Sequence, residues 1–213
     1  MLPFFRTVRH LFCSPSMPRQ FSTAGWEVIG SSCLVEEEES EWYKPEDFYP
    51  VRIGEVFKSQ YQVVGKLGYG TFGTAWLCRD LLCVCNLHCQ PLHYTYHTAS
   101  NHKHVTLKIG TLEALQGEVG ALRHLKTIKT DHPGSLLIRQ MLDEFQINNK
   151  NGIFHCLVHP PLAISVKAFR SLLPERALPV ILVQLIVKQL LIGLDFLHTE
   201  AKVIHTGTSN GIQ

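Results

Sequence analysis

Three glycines in the run Leu67-Gly68-Tyr69-Gly70-Thr71-Phe72-Gly73 have a spacing that lets a tight turn bring bare backbone N–H groups against a phosphate. Further on, Lys108 closes a Val-Thr-Leu-Lys segment and offers a cation for the same anion. Leu115, Glu118, Leu122 and Leu125 then recur at i, i+3, i+7 and i+10, one stripe of a helix, so Glu118 is an acid set on an apolar, inward face. An isolated buried carboxylate is costly, so Glu118 calls for a cationic partner. Singly, each signal is weak. The glycine pattern also opens dinucleotide-binding helices, and a lone strand lysine is most simply solvated. Together they describe a phosphate site.

The elements that must hold these groups are legible. Tyr61-Gln-Val-Val-Gly-Lys-Leu67 reads as a strand, the glycines as its turn, and Thr74-Ala-Trp-Leu-Cys78 as its hairpin partner. Thr111 is placed to cap a helix running to about Lys126. Residues 136–145 and 153–158 are apolar, the second strand-like, and Pro179 opens a long helix to about His198. That helix has a narrow polar stripe of Gln184, Lys188 and Asp195, so most of its surface needs covering. Its apolar stretch 180–194 is interrupted by Gln184, Lys188 and Gln189, so it falls short of a membrane span and no membrane partner is expected; too little chain follows it to cover its apolar sides, which are expected to be exposed.

Composition bounds the rest. The 213 residues are 45% apolar, enough for one globular core, and a net charge of +2 is too small to argue for direct nucleic-acid binding. Seven irregularly spaced cysteines make no disulfide framework; Cys78 and Cys156, in apolar runs, read as buried thiols, and a cytoplasmic or nuclear location fits. Residues 1–26 hold Arg6, Arg9 and Arg19 with no acid, which matches a mitochondrial transit peptide as well as a plain disordered tail. An acidic block follows: Glu27, Glu36, Glu37, Glu38, Glu39, Glu41, Glu46 and Asp47 against the single base Lys44. It reads as a solvated linker, with order beginning near Tyr49, so that 1–48 form a disordered tail. Residues 81–101 carry no Asp, Glu, Lys or Arg but hold Cys83, Cys85, Cys89, His88, His93 and His97. Their spacing lacks the paired knuckles of common zinc sites, so an irregular insertion or translated non-coding sequence is the simpler reading, and no metal site is expected.

A strand after the glycine turn, where a dinucleotide-binding fold would place a helix, favours the nucleotide lobe of a protein kinase. Residues 49–61, then Val64-Gly-Lys-Leu-Gly-Tyr-Gly70 and Trp76-Leu-Cys-Arg-Asp80, resemble the serine/arginine-rich-protein-specific kinases, and most of all their divergent fungal branch. The resemblance spans about 49–205, interrupted by the insertion. It implies an α+β, bilobal protein kinase fold that phosphorylates serine in Arg/Ser-rich splicing factors, with ATP as phosphoryl donor and Mg2+ as its companion. It implies further that Leu67, Gly68, Tyr69, Gly70, Thr71, Phe72, Gly73 and Ala75 line the ATP site. Lys108 would meet the phosphates and Glu118 would hold it. The stretch Cys156-Leu-Val-His-Pro-Pro-Leu162 resembles the fifth strand and hinge, in which the Pro160 carbonyl and the Leu162 N–H would bond the adenine.

The departures carry as much weight. Ala75 stands for a valine that packs on the base, and Thr106 for an alanine, adding a hydroxyl beside it. His205-Thr206-Gly207 stands where the family has His-x-Asp, so Gly207 takes the place of the catalytic base. No Asp-Phe-Gly follows, and Asn210 is misplaced for a metal ligand. The expectation is a partial kinase domain over 49–206 with an aberrant tail at 207–213, truncated within the catalytic loop and inactive in phosphotransfer. The competing reading is a module that binds nucleotide or a partner and transfers nothing; a metal-binding protein built on the insertion is a third.

Overall fold

The computed structural model describes residues 16–22, 24–25, 29–30, 32–82, 104–112 and 114–204. The Cys/His insertion from Cys83 to Asn101, the first 15 residues and the stretch from His205 onward lie outside these. Among the described residues the strands form one antiparallel sheet: β1 Val56–Phe57, β2 Tyr61–Gly70, β3 Gly73–Asp80, β4 His104–Gly110, β5 Asp143–Asn149 and β6 Gly152–His159. Their order across the sheet is β1-β2-β3-β4-β6-β5. Helix α1, Gln116–Thr127, lies between β4 and β5; α2 (Val166–Ser171) and α3 (Val180–Thr199) follow β6. This is the mixed α+β architecture of a kinase amino-terminal lobe with the first helices of the second lobe.

Period-two alternation divides the sheet between two cores. Val105, Leu107 and Ile109 of β4 join Val63, Cys78, Phe154, Cys156 and Val158 on one face. Tyr49 covers that face, its ring edge-on to Phe154 at 5.6 Å and to Phe57 at 5.7 Å. On the other face Leu157 packs with Leu115, Val119 and Met141, which docks α1. Both expected cysteines are fully buried, and burial raises the Cys78 thiol to about 12.

Helix α1 starts later than the Thr111 cap predicted. The Thr111 N–H donates instead to the Phe72 carbonyl at 3.2 Å, and Ala114 N–H to the Thr111 carbonyl, so residues 111–115 form a turn. Leu115 precedes the first helical residue without a side-chain cap and is 1% exposed. Its packing over Gly110, where a Cβ would collide with the Leu115 side chain, decides the helix start in place of a polar cap.

The acidic block also departs from the solvated linker expected of it. Glu36–Glu39 and Pro45–Asp47 are 3-10 turns. Glu36 pairs with Lys66 of β2 at 2.6 Å and Glu37 pairs with the same ammonium. Phe48 is buried against Tyr43, ring centroids 5.0 Å apart. Earlier still, Arg19 and Gln62 exchange two hydrogen bonds, of 2.8 and 2.7 Å. Order therefore precedes Tyr49, because one half-buried lysine neutralises two of the acids and aromatic side chains anchor the rest.

Helix α3 is nearly apolar all round, as its sequence predicts, and by length and composition alone it could cross a membrane. One side packs on residues 133–138: a Cβ on Gly134 would strike the Ile192 carbonyl and the Phe196 side chain, and Phe196 is buried. His132 accepts the Gly134 N–H at Nδ1, which leaves Nε2 to donate to Asp195 at 3.2 Å. Gly193 and Phe196 are the buried residues of α3, and most of its apolar surface stands exposed among the described residues.

Candidate nucleotide site

The site is built on two rungs of the sheet. Cross-strand pairing aligns Gly68, Ala75, Lys108 and Leu157 on one rung, and Leu77, Thr106 and His159 on the next. Paired residues project to the same face, so all of these share the face that carries α1. The odd-numbered β4 residues fill the opposite core and leave Lys108 here. Its Nζ lies 2.6 Å from Glu118 Oε2, with side chains 28% and 39% exposed. Leu115 and Val119 pin α1 to the sheet and aim Glu118 inward, as the helical stripe requires. At this exposure the pair contributes to stability no more than about 1 kcal/mol; its consequence is a lysine held in place.

The glycine loop is a continuous ribbon. β2 runs through Gly70, β3 resumes at Gly73, and only Thr71 and Phe72 form the turn. A register shift between Lys66 and Gly68 leaves Leu67 outside the regular ladder and 49% exposed. Gly73 has φ +148°, and a Cβ there would collide with the Ile109 carbonyl. Its glycine is thus required by close packing of β3 on β4, a reason that the phosphate argument alone did not contain. Phe72 at the tip is 59% exposed while its carbonyl is tied to Thr111. Tyr69 pairs with Thr74 along the same ribbon.

Beyond β6 the chain runs through Pro160 to Leu162, which is 70% exposed. The Pro160 carbonyl accepts a hydrogen bond from Arg139 Nη2 at 3.1 Å, a contact between residues 21 apart that no local pattern signals. Burial lowers the pKa of Arg139, with Glu118 opposing that shift. His159 is 3% exposed and its Nδ1 lies 2.9 Å from the Gln140 carbonyl. Its pKa is lowered, first by burial, with the charges of Arg139 and Lys108 adding to it. Gly207 and its neighbours lie outside the described residues. Among the described residues no three His, Cys, Asp or Glu side chains cluster as a metal site.

A glycine hairpin, a strand lysine on its neighbour and a helix glutamate bonded to that lysine define the class: the nucleotide lobe of a protein kinase. The chain's homologues are serine/threonine protein kinases of the fungal and SRSF-kinase type. It is 39% identical to a serine/threonine protein kinase of Aspergillus fumigatus over 210 residues, 98% of this chain and 49% of that one. It is 33% identical over 184 residues to SRSF protein kinase 3 of Homo sapiens, 84% of this chain and 29% of that one. With the serine/threonine-protein kinase SKY1 of Saccharomyces cerevisiae it shares 32% over 186 residues, 83% of this chain and 23% of the other. The chain thus spans about half the length of the Aspergillus relative, and less of the others. No protein-family model matches it.

Proposed function

We propose that this lobe binds ATP, with the triphosphate under the ribbon Leu67–Gly73 and against Lys108, and with the adenine between Ala75 and the 160–162 connection. The observation that carries the reading is the 2.6 Å contact between Lys108 and Glu118. It orients an ammonium that would otherwise be a mobile strand lysine toward the face where the glycine hairpin offers its backbone. Charge-assisted hydrogen bonds contribute about 1.5–3 kcal/mol each, so Lys108→Ala is expected to weaken ATP binding roughly 10- to 100-fold in a direct titration. Equal affinity of the variant and the parent chain would overturn the reading.

For the whole protein we propose phosphorylation of serine in Arg/Ser-rich proteins, the substrate class in the name of the SRSF protein kinases it resembles. The second reading, nucleotide binding without transfer, rests on the sequence: after Glu200 these residues contain no Asp or Glu, so they supply neither a catalytic base nor a metal-holding carboxylate. Phosphate transfer to an Arg/Ser-repeat peptide, with and without Lys108→Ala, separates the two.

A further inference from the structure

Two polar side chains beside the lysine rung have hydrogen-bonding capacity that the fold does not use. Thr106 is 4% exposed, and its hydroxyl oxygen is buried without a hydrogen-bond partner among the described residues. Leaving a buried hydroxyl unpaired costs about 1–3 kcal/mol, a cost that a ligand on this face would relieve. His159, its cross-strand neighbour, is the second. The Gln140 carbonyl can only accept, so the Nδ1 beside it carries the proton. Burial, with the cations Arg139 and Lys108, outweighs the Gln140 hydrogen bond and Glu118 in disfavouring a second proton, which leaves Nε2 an acceptor on the side chain that shares the Lys108 face. The obvious alternative acceptor, the Pro160 carbonyl, already holds the Arg139 guanidinium.

We propose that His159 and Thr106 read the purine: His159 Nε2 accepts from an exocyclic 6-amino group, and the Thr106 hydroxyl donates to a ring nitrogen. This deepens the ATP reading above and rests on it. A 6-oxopurine would set its carbonyl lone pairs against the lone pair of Nε2, two acceptors facing one another, and would be disfavoured. The Thr106 hydroxyl would serve both purines alike when it donates to N7, which is an acceptor in both. Discrimination thus lies with His159, and overall purine affinity is shared with Thr106.

The test is a binding titration of the 213-residue chain with ATP and with inosine triphosphate, which differ at the 6-position. The parent chain is expected to prefer ATP by about tenfold, the size of one net hydrogen bond. His159→Phe, which keeps a ring but no acceptor, and His159→Gln, whose amide can turn its NH₂ toward a 6-oxo group, are both expected to bring the ratio near unity. Thr106→Val, which keeps the shape and deletes the hydroxyl, should weaken both nucleotides severalfold and leave the ratio alone. Lys108-dependent binding of both nucleotides with a ratio that neither His159 variant changes would overturn the inference and leave the ATP site standing. Binding of neither nucleotide, or binding indifferent to Lys108→Ala, would overturn the ATP reading and this inference with it.

Discussion

The ammonium of Lys66 on β2 lies between Glu36, 2.6 Å away, and Glu37, with the rings of Tyr69 and Trp76 at 5.4 and 5.8 Å from their centroids. The acidic segment is thereby fastened to the strand that leads into the glycine loop. Burial works against the charged lysine, but the hydrogen bonds it donates to Glu36 and Glu37 outweigh it and raise its pKa. A raised pKa means that the contact is fully present below the ordinary lysine value and is lost only as pH climbs through the folded one. Replacing Lys66 by Met is expected to speed amide exchange across residues 36–48 severalfold at neutral pH. Unchanged exchange there would show that the segment is held by Phe48 and Tyr43 alone.

Lys108 and Glu118 should act on nucleotide as one unit. Glu118→Gln removes the charge that positions the ammonium, and ATP affinity is expected to fall about fivefold to tenfold. Once Lys108 is Ala, the same change should have little further effect, because the helix carboxylate reaches the ligand only through the lysine. A double-mutant cycle with ATP titration measures this coupling. Additive losses would mean that the two residues bear on the ligand separately.

The hairpin, Lys108 on the adjoining strand and Glu118 on the inward stripe of a helix were legible in the sequence, because alternation and 3.6-residue periodicity are local signals. What was not legible depended on distant partners. The acidic block reads as self-repelling until Lys66 is placed beneath it, and nothing near Glu37 in the chain points to that lysine. Thr111 has the right chemistry for a helix cap, yet Phe72, far off in sequence, takes its N–H. Gly73 was read for phosphate, whereas the carbonyl of Ile109 also forbids any side chain there. Arg139 gave no sign that it would occupy the Pro160 carbonyl. Only the pairing of β4 with β6 brings His159, Thr106 and Lys108 together.

Asp143 supplies the acid dependence of this lobe. Burial opposes its charge, but Lys58 Nζ at 2.7 Å, Tyr61 OH at 2.9 Å and the Glu144 N–H all donate to it and hold its pKa below the usual carboxylate value. The sign follows: the contribution is present above the unfolded carboxylate value near 4 and fades as pH falls through the lower folded one. Asp143→Asn should cost about 1 kcal/mol at pH 7, screening included, and flatten the stability loss as pH falls below the ordinary carboxylate value near 4. Denaturant melts of both chains over that range would show it. Parallel pH profiles would remove Asp143 from the account.

Phosphate transfer is the remaining expectation, and it sets binding against chemistry. The 213 residues offer a cation at Lys108 but carry Gly207 where the resemblance places a general base. General-base assistance contributes about 10²–10⁴-fold, and the developing charge on a transferred phosphoryl group needs more than one ammonium to stabilise it. ATP is therefore expected to bind these 213 residues in a Lys108-dependent way, while radiolabel transfer to an Arg/Ser-repeat peptide stays at the level of the Lys108→Ala control. Lys108-dependent transfer by the 213 residues alone would overturn this reading and require that the missing groups come from elsewhere, a second copy of the chain being the first candidate to test.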